Sequence, residues 1–325
     1  MWKCTSGLPV RSAHCHRFPS GVAVLPLVLH ATLALCAISQ PAMAQTKVKP
    51  VIEDRDLVAE DGMKLKITYF KSMSGKDAAV VVLLHGKQGT RQNWKGLATQ
   101  LQQNGDFAVV AVDLRGHGES LNPGNKKVES KKVDYQNMVE FDMKAVKDFV
   151  FDEHQKGHLN MNRLGIVACD FSASVAALYT ELDWEKAPFD DSPSEADRTP
   201  RGRDVQALVL ISPEMNAPGL VTANAVKILR GLKRPVMIGV SEKNNRDSAA
   251  ASKLFEQLSP KKDRDKDKEK EEHVMLLQYE GNLPGSDLVA QNSKVRDHIV
   301  FFLNRHLKEQ LQSDWRDRRS RIDRE

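Results

Sequence analysis

Two short strings in the first half of the chain place the tightest limits on its fold. One reads VVVLLHGKQGTRQNW over residues 80–94, and the other reads AVDLRGHGES over residues 111–120. Each string is an apolar, β-branched run that ends in a polar, glycine-rich turn. This pattern is typical of a buried parallel strand that carries a functional loop at its carboxyl end.

The rest of the chain repeats this pattern after a leading hairpin. Residues 51–72 predict two antiparallel strands joined by a turn at 60–62. Antiparallel strands followed by repeated βα units predict an α/β fold, with a mostly parallel sheet of about eight strands and helices on both faces. Further strands are predicted at 80–84, 107–112, 164–168, 205–211, 236–240 and 274–279, with helices at 94–104, 133–154, 173–184, 221–232, 248–258 and 288–312.

The first 44 residues have the organisation of a secretory signal peptide. A basic start precedes an apolar run over 22–38, and the triplet AMA at 42–44 supplies small residues for cleavage after Ala44. We therefore expect an exported protein, periplasmic or secreted. The alternative is an uncleaved membrane anchor, because the apolar run is close to the ~18 residues that a membrane span needs.

Composition limits the partners of the mature chain. Removal of the signal takes away three basic residues and lowers the formal net charge from +5 to +2, which gives no reason to expect nucleic acid as a partner. Cys169 is the one cysteine outside the signal, so an intramolecular disulfide is excluded. The sequence has no paired His or Cys spacing that indicates a metal site, and it predicts no cofactor and no specific membrane partner.

Charged segments interrupt or follow the regular elements. Residues 185–204 are rich in Pro, Asp, Ser and Arg and predict a surface loop, whereas residues 260–272 read PKKDRDKDKEKEE and predict a solvated, mobile insertion. The charged residues 313–325 are interpreted as a frayed helix end, although Trp315 leaves a docked tail open. The predicted organisation is thus a signal peptide (1–44), one domain (45–312) and a charged C-terminal tail (313–325).

The two strings resemble the α/β-hydrolase superfamily, in which HG follows the third strand and DxRGHGxS follows the fourth. The specific matches are residues 84–86 and 113–120, and the order of elements matches over the mature chain. The resemblance implies the α/β-hydrolase architecture. Residues 212–235 leave room for one helix but not for the large cap that some members insert after the sixth strand.

The family places its nucleophile on a sharp strand-to-helix turn, where small neighbours are needed. Its GxSxGG pattern aligns with ACDFSA at 168–173, which puts Asp170 at the nucleophile position and replaces the flanking glycines by Ala168 and Ser172. Three interpretations stay open. Asp170 is the nucleophile, as in haloalkane dehalogenases and epoxide hydrolases; Ser172 is the nucleophile in a shifted frame; or Asp170 caps the following helix.

The resemblance also implies a histidine base in the loop after the last strand and an acid after the seventh strand. The loop after the last strand reads EGNLPGSDL at 280–288 and holds no histidine. Asn244 aligns with the acid position. Asp247, Glu242 and Glu214 are the nearby acids that could replace it.

The residues expected to form the oxyanion hole match the family better than those at the nucleophile, base and acid positions. The backbone N–H of Lys87 or Gln88, after the turn at Gly86, and that of Phe171 are the candidate donors. The first hypothesis is an exported α/β-hydrolase-fold protein whose catalytic triad of nucleophile, base and acid is degenerate, so that it is a weak or inactive hydrolase. It would instead bind a small-molecule ligand at the elbow, the strand-to-helix turn that carries Asp170. The second is an active hydrolase of an ester, epoxide or haloalkane that uses Asp170 or Ser172, so the sequence leaves open whether the protein is an enzyme.

Overall fold

A computed structural model of the protein describes residues 50–121, 130–260, 273–311 and 313–324. The predicted signal peptide lies outside the described residues, as does all of the charged insertion except Pro260. Both therefore stay predictions. None of the helices in the described ranges is long and apolar enough to cross a membrane.

Within the described residues, the strands form one eight-stranded sheet in the order β1-β2-β4-β3-β5-β6-β7-β8. β2 pairs antiparallel with β1 and β4, and all the other pairs are parallel. The predicted mixed, mostly parallel sheet is therefore confirmed. The strands are β1 (Ile52–Val58), β2 (Lys64–Phe70), β3 (Ala79–Leu84), β4 (Ala108–Val112), β5 (Asn160–Cys169), β6 (Val205–Ile211), β7 (Val236–Ser241) and β8 (Val274–Tyr279).

The helices follow the predicted segments, but two of these segments are not continuous α-helices. The segment predicted at 133–154 contains a π-helical turn, Met138–Asp142. The segment predicted at 288–312 is divided at Asn292, whose side chain accepts N–H groups of the next helix and so starts it. The helices are α1 (Lys95–Gly105), α2 (Lys132–Asn137), α3 (Met143–Gln155), α4 (Ser172–Glu185), α5 (Ala223–Leu232), α6 (Asn245–Leu258), α7 (Gly285–Gln291) and α8 (Ser293–Asn304).

Both faces of the sheet are buried under helices. In β3, Val80 and Val82 belong to one hydrophobic cluster, whereas Val81 and Leu83 belong to the other. This alternation follows from the two-residue period of a strand. α3, α4, α5 and α6 contribute to the first cluster, and α1, α7 and α8 contribute to the second. The continuous apolar run that the sequence shows in β3 is explained by burial on both sides.

The C-terminal residues differ from the expected frayed helix end. The ring of Trp315 stacks on His154 at 4.9 Å, and its indole N–H donates to the backbone oxygen of His154. Arg318 is buried and pairs with Asp204 at the end of the 185–204 loop. The tail is docked because it supplies a cation to a buried carboxylate, a contact that links residues more than a hundred positions apart.

Candidate active site

A sharp turn joins β5 to α4 and carries Asp170. This residue has a φ of 51°, in the left-handed region that aspartate tolerates better than most non-glycine residues. Its N–H donates to Ile211 in β6, and its carbonyl accepts the N–H groups of Glu214 and Ala173. The turn is therefore fixed between two strands, and it projects the Asp170 side chain from the carboxyl end of the sheet.

Two glycines hold the Asp170 carboxylate between backbone segments. A Cβ atom at Gly86, after β3, would overlap Oδ2, and one at Gly285, at the start of α7, would overlap both carboxylate oxygens. The backbone N–H of Lys87 favours the ionised form of the carboxylate. Lys87 is one of the candidate oxyanion donors, so an anion of the protein itself lies at the turn that carries this donor.

Burial raises the pKa of Asp170 to about 6. The Lys87 N–H acts against this rise, while the negative charges of Asp247, Glu214 and Asp287 add to it. The carboxylate is thus ionised at neutral pH but becomes protonated in mildly acidic solution. These neighbouring carboxylates create a negative potential around Asp170 that disfavours a second anion.

The hydroxyl of Ser172 is hydrogen-bonded to backbone groups of β3 and β5. The side chain is fully buried, and Oγ lies 3.0 Å from the carbonyl oxygen of Leu84 and 2.8 Å from that of Cys169. Oγ also accepts the N–H of Cys169 at 3.0 Å. Ser172 therefore braces β3 against β5 and does not project over the sheet with Asp170.

The loop after β8 brings Gly285 and Ser286, rather than a histidine, to the elbow. The N–H of Gly285 donates to Ser212 Oγ at 3.1 Å, which fixes the start of α7 beside Asp170. Burial and the negative charge of Asp170 raise the pKa of Cys169, and Ser286 acts against this rise. The Cys169 thiol is fully buried, so it is not available as a nucleophile.

The histidine nearest to the turns of the site in sequence is His85, and both of its ring nitrogens have backbone partners. Nδ1 lies 2.8 Å from the carbonyl oxygen of Gly86, and Nε2 accepts the N–H of Leu114 at 3.1 Å. Burial and the neighbouring His117 lower the pKa of His85 to about 4, so the ring is neutral at pH 7. Its role is to join the β3 and β4 turns.

Two further histidines, His117 and His298, contact aromatic side chains. His117 stacks on Phe171 at 5.6 Å, and His298 pairs with Tyr279 at 3.0 Å. Within the described ranges, no hydrogen bond joins a histidine to the side chain of Asp170 or Ser172.

The predicted acid position holds a helix cap. The side chain of Asn244 accepts the N–H of Asp247 and donates to its carboxylate at 2.8 Å. Asparagine is a favoured N-cap residue, because its side chain satisfies a free N–H of the first helical turn. Asn244 and Asp247 therefore pair with each other, and Asp247 acts on Asp170 through its charge alone.

The loop after β4 braces these turns. Asp113 is fully buried and pairs with Arg91, and Gly118 must lack a side chain because a Cβ atom would overlap the Asp113 carboxylate. Arg115 pairs with Asp61 of the leading hairpin and with Asp142 of the π-helical turn. These partners of Arg115 were not predicted, because no local pattern shows a π-helical turn or a contact with a distant hairpin.

Phe171, the other predicted oxyanion donor, packs its buried ring against His117 and Tyr135. The structure thus places the turn of Gly86 and Lys87 against Asp170 and buries the Phe171 ring. Ser172 is a brace behind this turn, and Asn244 stays at the start of α6.

Comparison with known proteins identifies the family to which this chain belongs. A family model described as the alpha/beta hydrolase fold matches residues 79–304. The chain belongs to the α/β-hydrolase-fold family. The resemblance that the HG and DxRGHGxS strings indicated is therefore confirmed, although no curated protein sequence matches the chain significantly.

Solved α/β-hydrolase structures superimpose on most of the chain. An esterase from Pyrococcus furiosus has a TM-score of 0.54 at 14% identity, over 79% of this chain and 93% of the esterase. A dienelactone hydrolase from Anabaena variabilis has a TM-score of 0.53 at 13% identity, over 80% of this chain and 100% of the hydrolase. An esterase from Rhodococcus sp. has a TM-score of 0.50 at 18% identity, over 78% and 99%. At such low identities the likeness concerns the fold.

Proposed function

We propose that this α/β-hydrolase-fold protein has a degenerate catalytic triad and works as a binding module at the elbow, with weak or no hydrolase activity. The observation that carries the proposal is the position of the Asp170 carboxylate, whose oxygens lie so close to Gly86 and Gly285 that neither residue could carry a Cβ atom. The carboxylate therefore occupies the turn that presents the Lys87 N–H. An ester carbonyl needs that donor to stabilise its developing oxyanion. In this chain, an internal anion competes for the donor and repels a second negative charge.

The neighbouring residues support the same function. Hydrolysis through a serine needs a base that removes the hydroxyl proton, and loss of a triad member costs several orders of magnitude in rate. The Ser172 hydroxyl is bonded to backbone groups, and Gly285 and Ser286 stand where the loop after β8 meets the elbow. The ionised Asp170, with acidic neighbours, favours a small ligand that is cationic or donates hydrogen bonds.

An active hydrolase with Asp170 as its nucleophile is the second candidate. The positive φ of Asp170 favours this candidate, because strained backbone at a turn is a feature of functional sites. A carboxylate nucleophile would be ionised above a pKa of about 6. The second step would still need a base to activate water.

Hydrolysis assays separate these candidates. Purified wild type, Asp170→Asn, Ser172→Ala and the control Asp287→Asn are compared on an aryl ester, an epoxide and a haloalkane, with folding checked by circular dichroism. We expect equal background rates in all four proteins. If wild type turns over one substrate and Asp170→Asn abolishes that turnover while folding is kept, the binding-module proposal is wrong and Asp170 is the nucleophile.

We also propose that the protein is exported, on the strength of the signal-like sequence of residues 1–44. Mass spectrometry of the protein from the periplasm and medium is expected to find Gln45, or its cyclised form, as the first residue. Retention of Met1 in the exported protein, or its confinement to the cytoplasm, would contradict this prediction.

A further inference from the structure

A groove between α5 and α6 has a chemical character unlike that of the elbow. Its volume is about 520 Å³, and it extends from the segment after β6 along both helices. Met215, Val226 and Leu254 provide an apolar floor, in which Val226 and Leu254 are buried members of the core. We call this feature the α5–α6 groove.

The rim of the α5–α6 groove is basic. Lys227 and Arg230 on α5 and Lys253 on α6 line it, and all three are exposed. Among the described residues, these side chains form no ion pair, and the groove lining contains no carboxylate. Unneutralised cations beside apolar surface are complementary to an anion that carries an apolar chain.

The basic side chains lie along the helices beyond the start of the groove. Lys227 and Arg230 are three residues apart and therefore share one face of α5. Arg230 lies seven residues after Ala223, or about 10 Å along the helix at 1.5 Å per residue. Met215 lies in the segment before α5, so the end of the groove near the β6 turn is apolar, whereas further along the basic side chains line the rim and the buried Val226 and Leu254 form the floor between them.

We propose that the α5–α6 groove is a binding site for a medium-chain fatty-acid-class anion. Its carboxylate contacts Lys227, Arg230 and Lys253, and its alkyl chain lies on Met215, Val226 and Leu254. The volume of the groove falls within the range of small-molecule sites, roughly 300–1,000 Å³. The groove lining includes neither Asp170 nor the acidic residues around it, of which Glu214 lies next to Met215 in the sequence. The inference does not depend on the function proposed for Asp170.

Calorimetric titration with dodecanoate, below its micelle concentration and at fixed salt, tests the site. Wild type is expected to bind with one-to-one stoichiometry, and decanoate is expected to bind more weakly, by up to about fourfold for each missing methylene. Uncharged dodecanol is expected to bind at least about tenfold more weakly than dodecanoate, because it makes no ionic contact with the rim.

Two groove variants and one matched control define where the anion binds. The triple variant Lys227→Gln, Arg230→Gln, Lys253→Gln is expected to weaken dodecanoate binding about tenfold or more, since each exposed pair contributes a factor of roughly two to five. Ala250→Trp fills the groove from an exposed helical position and is expected to weaken it similarly. The control Lys64→Gln, Lys95→Gln, Lys294→Gln removes the same charge from exposed positions elsewhere and is expected to leave the affinity unchanged.

Four outcomes would overturn the proposal. Three of them are no saturable binding by folded wild type, equal affinity in wild type and the groove variants, and an equal loss in the control variant. The fourth is a change of dodecanoate affinity in Asp170→Asn alone, which would place the anion at the elbow instead.

Discussion

Asp170 combines a strained backbone with a carboxylate that the surrounding residues disfavour in its ionised form. Burial and the charges of Asp247 and Glu214 raise its pKa, while one backbone N–H opposes the rise. Such perturbed groups concentrate at functional sites. At the residue scale, the backbone strain and the raised pKa of Asp170 can therefore be tested by stability measurements that need no ligand.

The stability of the protein is expected to depend on pH through Asp170. The pKa of this carboxyl is about 6 in the folded protein, against 3.8 for an ordinary aspartate side chain. The folded state therefore binds more protons than the unfolded state between these values, and stability falls as pH rises from about 4 to about 6. Asp170→Asn is expected to stabilise the protein by up to about 3 kcal/mol at pH 7.5, and the gain should vanish near pH 4.

Urea unfolding of wild type and Asp170→Asn at both pH values measures this effect. Asp152→Asn, at an exposed helical position, is the control for the loss of a carboxylate. A gain that is the same at pH 4 and pH 7.5 would show that Asp170 does not titrate as described.

Ser172→Ala is expected to destabilise the fold by about 1–3 kcal/mol, because it leaves buried backbone groups of Leu84 and Cys169 without their partner. Ser293→Ala, at an exposed position, should change the free energy of unfolding by less than about 0.5 kcal/mol. Denaturant titration of both variants makes the comparison. An unchanged midpoint in Ser172→Ala would contradict the bracing role.

At the element scale, the C-terminal tail is tied to the domain by a buried ion network. Arg318 pairs with Asp204, and Lys147 pairs with both Asp204 and Asp183. Both carboxylates are fully buried. Removal of one cation would leave a negative charge in the interior, where its desolvation is not compensated.

Arg318→Met is therefore expected to lower the free energy of unfolding by about 3–5 kcal/mol. Arg319→Met, which removes an exposed pair with Asp317, should cost at most about 1 kcal/mol. Chemical denaturation followed by tryptophan fluorescence also reports undocking of Trp315. Equal effects of the two substitutions would mean that the tail adds little to the stability of the domain.

At the scale of the whole molecule, the charged insertion is the segment that we expect to be dispensable. Residues 260–272 contain no apolar residue after Pro260, and longer loops add little closure entropy. Replacement of this run by a short Gly/Ser link should shift the melting temperature by no more than about 2 °C. A larger loss, measured by calorimetry, would show that the run packs or pairs specifically.

The order of the elements was predictable because it depends on local patterns. Alternating or continuous apolar runs of five to ten residues mark strands such as β3 and β6, whose predicted bounds fall within a residue of the observed ones. The division at Asn292 and the π-helical turn at 138–142 were missed, since a cap and an inserted residue change the apolar period very little.

The sequence by itself determined the α/β-hydrolase fold, the position of the elbow at Asp170 and the lack of a histidine in the loop after β8. Tertiary structure alone decided what surrounds these residues: the two glycines against the Asp170 carboxylate, the backbone partners of Ser172 and the docking of Arg318 on Asp204. The physical reason is the sequence separation over which each kind of interaction acts. Strand and helix patterns act over a few residues, whereas hydrogen bonds and charges in the site join segments that only the closed sheet brings together.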